Sequence, residues 1–434
     1  MQTVHYTPPG VMGVRESSRT RRGNIMKNII IGQSGGPTAV INASLYGAVK
    51  GAQECTVIGR VYGMVNGIQG FLGGQFMDME SLSEEELELL KCTPAAYLGS
   101  CRCRLPENLD APVYRELFEK LEELEIGYFA YIGGNDSMDT VSKLALYAEK
   151  VQSDIRFAGI PKTIDNDLIC TDHTPGYGSA AKYVAATVRS IVMDASVYRQ
   201  KSVTIVELMG RDAGWLTAAS MLARKFEGDN PALIYLPEAV FDMERFVRDV
   251  ENVLKVRNAA IVCVSEGIID KNGKLICEYG ADVQTDAFGH KMMSGCGKVL
   301  EAVIRERLNI KVRSIELNVS QRCSGMLQSA TDILEAAMAG RRGVEAMAAG
   351  MTGRMVCFSR IQGTSYQLEC DTVDVHKVCN QVKTFPQEWI INGNDIAEEF
   401  AAYARPLIQG EIKHKMEDGL PKYLYRETPV GETE

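Results

Sequence analysis

Asn28-Ile-Ile-Ile-Gly-Gln-Ser-Gly-Gly-Pro-Thr38 is a short β-branched run that stops in glycines and leads into a helical pattern from Thr38 to Ala52. β-branched residues suit a pleated strand, and apolar residues recurring every three to four positions suit a helix with one buried face. The same alternation returns at Tyr128–Ile132, Ile155–Ile160, Val203–Leu208, Ala232–Leu236, Ala259–Val264 and Arg313–Val319. Each run is followed by a glycine-containing turn and, after a gap, by a helical stretch. Continuous apolar strands separated by helices predict an α/β fold built on mostly parallel sheets covered by helices on both faces. In such sheets the ligand sits beyond the carboxyl ends of the strands, so those ends are where chemistry is sought.

Four strand ends carry unusual residues. Gly32-Gln-Ser-Gly-Gly-Pro-Thr38 has glycines that let backbone N–H groups approach a phosphate, with a helix dipole behind them; the alternative is a tight structural turn. Gly133-Gly-Asn-Asp-Ser-Met-Asp-Thr140 suits magnesium and phosphate, or simply a helix capped by Asp136 or Ser137. Pro161-Lys-Thr-Ile-Asp-Asn-Asp167 sets two carboxylates two residues apart beside a lysine. Phosphoryl transfer to an alcohol needs a base, charge neutralisation and positioning, and this segment offers all three. An Asx-rich turn is the plain alternative. Glu207-Leu-Met-Gly-Arg-Asp-Ala-Gly-Trp215 puts an arginine just past a strand-end glycine, where its planar fork can grip an anion or be solvated.

At 434 residues the chain is long enough for two lobes. A net charge of −9 argues against a nucleic-acid partner held by a generally basic surface, although a local arginine cluster can still bind an anionic substrate. No apolar run reaches membrane-spanning length. The 12 cysteines are scattered without a CxxC pair, several inside apolar runs such as Ala260-Ile-Val-Cys-Val264. That usage fits reduced, buried thiols in a cytoplasmic protein rather than a disulfide framework. Cys101-Arg-Cys103 lacks the companion ligands of a zinc site. Residues 1–26 are polar, basic and unpatterned, and are expected to be a disordered extension. Ser81-Leu-Ser-Glu-Glu-Glu-Leu-Glu-Leu-Leu90 reads as a capped amphipathic surface helix.

Together and in this order, the four strand-end motifs resemble the 6-phosphofructokinase family, over a span from about Lys27 to Arg360. The resemblance implies two α/β lobes with the active site in the cleft between them. Residues 27–172 with about 320–370 would form a donor-phosphate lobe, and 173–319 with about 371–434 a sugar-phosphate lobe and C-terminal extension. It also implies phosphoryl transfer to the 1-hydroxyl of fructose 6-phosphate, giving fructose 1,6-bisphosphate in glycolysis. Asp165 then matches the general base, flanked by Thr163 and Asp167 at the substrate. Met209, Gly210 and Arg211 match the sugar-phosphate turn, and Glu266 an acid that accepts bonds from sugar hydroxyls. Arg313 and Arg322 match arginines that hold the 6-phosphate, Arg102 one that stabilises the phosphoryl group in flight, and Gly35 the donor-phosphate loop.

Departures from the ATP-dependent pattern point to the donor. Where those members read GGDGS and PGTIDND, this chain has Asp136 in place of the third glycine of the first motif and Lys162 in place of the glycine before the threonine. Asp136 adds bulk and negative charge where a nucleotide's α-phosphate would lie, and Lys162 adds a cation for a shorter donor. Both changes resemble the pyrophosphate-dependent branch. Asn135 stands where an aspartate usually holds Mg²⁺, so the magnesium cofactor is implied with a weaker amide ligand. Val319 and Ser202 depart from the sugar-phosphate pattern, with Lys201 as a substitute cation. The residue matching Arg313 reaches across a subunit interface in the family, which implies a homodimer or homotetramer. The rivals are an ATP-dependent enzyme of the same fold and a non-catalytic sugar-phosphate-binding subunit; the presence of Asp165 speaks against the second.

Overall fold

The computed structural model describes residues 26–226, 228–280, 295–361, 363 and 365–426. Apart from Met26, the extension expected over residues 1–26 lies outside them. Among the described residues, eleven strands form the two larger sheets: β1 (Lys27–Gln33), β2 (Ile58–Met64), β3 (Phe76–Asp78), β4 (Ile126–Gly133), β5 (Arg156–Pro161), β6 (Ser202–Leu208), β7 (Leu233–Tyr235), β8 (Ala259–Ser265), β9 (Lys311–Glu316), β10 (Arg354–Arg360) and β11 (Leu368–Asp374).

The larger sheet has the order β11-β10-β5-β4-β1-β2-β3 and the smaller β7-β8-β6-β9. All pairings in the smaller sheet are parallel. In the larger one only the two outer pairs, β2–β3 and β10–β11, are antiparallel. The winding of the first sheet reverses between β1 and β4, and that of the second about β6, which lies between β8 and β9. Crevices open at such switch points, beyond the carboxyl ends.

Alternate residues along each strand bury opposite faces. In β1, Ile29 and Ile31 join Ala130, Ile132, Ile160 and Phe358 on one side, while Ile30 joins Phe129, Phe157 and Met355 on the other. The smaller sheet divides likewise, with Val206, Leu208 and Cys263 on one face and Val203, Ile205 and Val262 on the other. Burial on both faces is why these strands read as continuous apolar runs.

Part of the C-terminal region packs against the smaller sheet, while Leu424 and Arg426 bond back to Thr93 and Leu98. Phe385, Ile396, Phe400 and Leu407 pack in the same core as Trp215 and Leu216. The charged tract forms the helix Glu84–Cys92 with a capping box: Glu86 N–H donates to Ser83 Oγ and Ser83 N–H to Glu86 Oε2. Leu87 and Leu90 are its buried face. All 12 cysteines are free thiols. Among the described residues no helix is long and apolar enough to cross a membrane.

Candidate active site

The loop after β1 is fixed on both sides before any side chain faces the cleft. Ser34 N–H donates to Ile132 O of β4 at 2.9 Å, and Gly35 N–H to Cys101 O at 3.3 Å. Ser100 Oγ returns a bond to Gly35 O at 2.6 Å. Gly35 adopts φ +75°, a conformation open to glycine at little cost. Two cations press on this loop. Lys162, only 3 % exposed, donates its ammonium to Gly36 O at 2.6 Å. A methyl group at Gly36 would come 3.1 Å from a guanidinium nitrogen of Arg322. Burial pulls the Lys162 ammonium down to about 8, against the pull of Asp165 and Asp167. Arg322, expected at the sugar phosphate, stands beside the glycine loop.

Past β5 the segment Lys162–Asp167 is held by its middle. Asn166 sits at φ +54°, in the left-handed region that asparagine tolerates. Its amide donates to Tyr403 OH at 2.9 Å, while its oxygen accepts Thr174 N–H at 3.1 Å and the Lys383 ammonium at 3.3 Å. Thr163 Oγ1 accepts the N–H of Asp165 at 3.1 Å. Burial, then the charges of Asp167 and Glu266, drives the Asp165 carboxyl well above the ordinary carboxylate range, with Lys162 opposing. Asp167 is also raised, chiefly by burial, with Lys383 opposing and Asp212 adding to the rise.

Two of those charges come from the second sheet, since Glu266 follows β8 and Asp212 follows β6. Gly210, at φ +128°, directs its N–H to Glu266 Oε1 at 3.4 Å, so the Met209–Arg211 turn and Glu266 are one unit across the adjacent strands β6 and β8. A side chain at Gly267 would strike Arg211 O at 1.9 Å, which makes glycine obligatory there. Burial raises the Glu266 carboxyl, with the Gly210 N–H opposing. Arg211 is exposed beside it. Glu207, in the same motif, is engaged elsewhere. It accepts Gly295 N–H at 2.8 Å and Gly297 N–H at 2.7 Å, anchoring the start of the helix Cys296–Leu308.

Asp165, Asp167, Thr163, Lys162, Gly35, Arg322, Met209, Gly210, Arg211 and Glu266 thus line the meeting of the two sheets. Others stand apart. Asn135 is taken up by the C-terminal segment: its Nδ2 donates to Gln381 O at 2.6 Å and its Oδ1 accepts Asn380 N–H at 3.0 Å. In that arrangement the amide oxygen expected as a magnesium ligand already accepts one backbone N–H. Asp136, in the first turn of the helix Asn135–Lys150, is 70 % exposed and pairs with Arg104 at 3.1 Å. Arg102 is exposed one residue past the carbonyl that ties its loop to Gly35.

Arg313 also stands apart. It lies in mid-strand on the edge strand β9, in register with Thr204 rather than with the end of β6, and faces solvent beside Asp194, Tyr198 and Ser202. Val319 is 51 % exposed and Lys201 is exposed. Asp212 and Lys383 were not singled out from the sequence. Asp212 lies in the strand-end motif Glu207–Trp215, where a carboxylate beside Arg211 is a local signal; Lys383 carries none. Among the described residues no three of His, Cys, Asp and Glu are set to cage a metal ion.

The phosphofructokinase family profile matches residues 28–348. The pyrophosphate–fructose 6-phosphate 1-phosphotransferase of Rhodospirillum rubrum is 39 % identical over 386 residues, covering 88 % of this chain and 94 % of that one. The enzyme of the same name from Methylococcus capsulatus is 38 % identical over 405 residues, covering 92 % and 95 %. The crystal structure of pyrophosphate-dependent phosphofructokinase from Marinobacter aquaeolei superimposes with a TM-score of 0.83 at 33 % identity, over 94 % of this chain and all of that one. With that profile match and those relatives, the chain belongs to the phosphofructokinase family.

Proposed function

We propose that the protein transfers a phosphoryl group reversibly from pyrophosphate to the 1-hydroxyl of D-fructose 6-phosphate, giving fructose 1,6-bisphosphate and inorganic phosphate in glycolysis. The observation that carries this reading is Lys162 lodged against the Gly35–Gly36 loop, with Asp165 three residues further along the same segment.

In this reading Asp165 accepts the proton of the 1-hydroxyl as its oxygen attacks phosphorus, and the bridging P–O bond breaks to release phosphate. A carboxyl raised by its surroundings is a stronger base than an ordinary aspartate, which suits that step. Lys162 and Arg322 neutralise the departing phosphate at the glycine loop, and Arg102 steadies the group in flight. Cations fixed before the substrate arrives need no reorganisation during the reaction. Thr163 and Asp167 position the sugar, Glu266 accepts bonds from its hydroxyls, and Met209, Gly210 and Arg211 receive its phosphate. Asp136 limits the donor by standing, negatively charged, at the start of the helix behind the loop.

The described residues do not fit a caged magnesium ion, since Asn135 is engaged and no three ligands converge. Magnesium then enters with the substrate, as magnesium pyrophosphate, in keeping with an ion that binds through substrate phosphates and few carboxylates. The position of Arg313 on an exposed edge strand supports a homodimer or homotetramer in which it serves a neighbouring copy's sugar 6-phosphate. The reading places the enzyme in the cytoplasm. Purified protein given fructose 6-phosphate and magnesium pyrophosphate should form fructose 1,6-bisphosphate, detected by coupling to aldolase; no product with this pair would overturn the assignment.

A further inference from the structure

Lys383 lies beyond the span matched by the family profile, in a stretch between β11 and the helix Glu398–Ala404. Its backbone N–H donates to Asp167 O at 2.7 Å. Its carbonyl accepts the indole N–H of Trp215 at 2.9 Å. Its ammonium donates to Asn166 Oδ1 at 3.3 Å, Thr171 O at 3.2 Å and Asp172 O at 2.9 Å, and lies 5.0 Å from the Trp215 ring centre. Two residues on, Glu238 Oε1 accepts both Phe385 N–H at 2.7 Å and Gly214 N–H at 2.9 Å. One short strap is thereby bonded to the loop bearing both candidate catalytic carboxylates and to the loop that follows the sugar-phosphate turn.

We infer that Lys383 is a positioning residue for phosphoryl transfer: its ammonium holds Asn166, and through it Asp165 and Asp167, at a fixed distance from the Met209–Arg211 turn. The inference rests on the function proposed above. The plain alternative is that Lys383 merely helps the segment fold. Yet Phe385 and Phe400 already pack against Trp215, with ring centres 5.1 and 6.5 Å away, so the strap is anchored by apolar contact without the ammonium. What the ammonium adds is a cation for three inward-pointing oxygens, two of them main-chain carbonyls of the 171–172 turn. Without it those acceptors lose their shared donor, and Asn166, in a backbone conformation that needs support, is left to Tyr403 OH and Thr174 N–H.

The test is steady-state kinetics of Lys383→Met and Lys383→Arg beside the wild type, with thermal melts to count folded protein and with whichever donor the wild type uses. Failure of the proposed function would be seen in the wild type's choice of donor, and failure of this inference in the ratio of variant to wild type. A misplacement on the order of 1 Å can cost about a hundredfold, so kcat of Lys383→Met should fall at least about tenfold. The KM for the phosphate donor should stay within about threefold, because the ammonium does not bond to the glycine loop, and Lys383→Arg, with five N–H donors, should recover most of kcat. Should Lys383→Met not fold, Lys383→Gln carries the same expectation. Folded Lys383→Met or Lys383→Gln with wild-type kcat would overturn the inference, as would failure of both to fold, which would make the lysine a requirement of the fold.

Discussion

Lys162 and Gly36 stand two strands apart in the larger sheet, at the ends of β5 and β1, yet the lysine ammonium donates to the glycine carbonyl at 2.6 Å. The bond spans 126 residues of sequence and buries a cation in the loop where a donor phosphate is proposed to sit. Because the cation is in place beforehand, the site is built for a compact anion rather than assembled around it.

Asp165→Asn should lower kcat about 10²–10⁴-fold, since an amide cannot take the hydroxyl proton. The same change should raise Tm. The folded protein holds the Asp165 proton more tightly than the unfolded chain, so the stability tied to this group is fully present below the unfolded value and is lost as pH rises through the folded one. An asparagine does not incur that loss. Melts at pH 8, where the aspartate is charged, check it; near-native kcat or an unchanged Tm would count against Asp165 as a strained base.

The pH profile of kcat/KM should be bell-shaped. Asp165 must be ionised, so the rate falls as pH drops through a value raised above the carboxylate range, an apparent constant it shares with Asp167. Lys162 must be charged, so the rate falls again as pH rises through about 8. Lys162→Arg, whose guanidinium stays protonated, should move or remove the alkaline limb while leaving the acidic one. An unchanged alkaline limb would assign it to another group.

The arginines should separate by substrate. Arg322→Ala should raise the KM for pyrophosphate, because Arg322 meets the glycine loop, whereas Arg211→Ala should raise the KM for fructose 6-phosphate. Each charge-assisted bond is worth about 1.5–3 kcal/mol, roughly ten- to a hundredfold. Arg322→Ala acting on the sugar phosphate alone would return that residue to its first expected place.

Arg313→Ala and Asp165→Asn should complement each other if the edge strand β9 serves a neighbouring copy. Mixed and reassembled, the two impaired proteins should regain activity in hybrids that carry one intact site. Verified hybrids without activity would make Arg313 a residue of its own subunit or of none.

The strand ends were legible because their strands are buried on both faces, so Ile29–Ile31 and Ala259–Val264 announce themselves as unbroken apolar runs. β2 escaped notice because Gly59 and Gly63 interrupt it, and β11 because Leu-Glu-Cys-Asp-Thr-Val-Asp alternates along an antiparallel edge. The apolar run at Arg313–Val319 places the strand too late in the chain: β9 starts at Lys311 and ends at Glu316, and Asn318 then turns the backbone at φ +43°. Asn135 reads as a ligand because the family's metal-binding aspartate stands at its position, while its hydrogen-bond partners Asn380 and Gln381 lie some 245 residues away and leave no local signal. The Lys383–Asn166 bond, 217 residues apart, leaves no local pattern either.

Donor choice tests the account most directly. Initial rates with pyrophosphate and with ATP, both with magnesium, are measured for the wild type, Asp136→Gly, Lys162→Gly and the double variant. The wild type should use pyrophosphate and show little or no rate with ATP. Asp136→Gly removes bulk and like charge from an exposed position that Arg104 only partly neutralises, so ATP turnover should rise. Lys162→Gly empties the buried cation from the glycine loop and should mainly damage pyrophosphate use. A wild-type enzyme that prefers ATP would contradict the account.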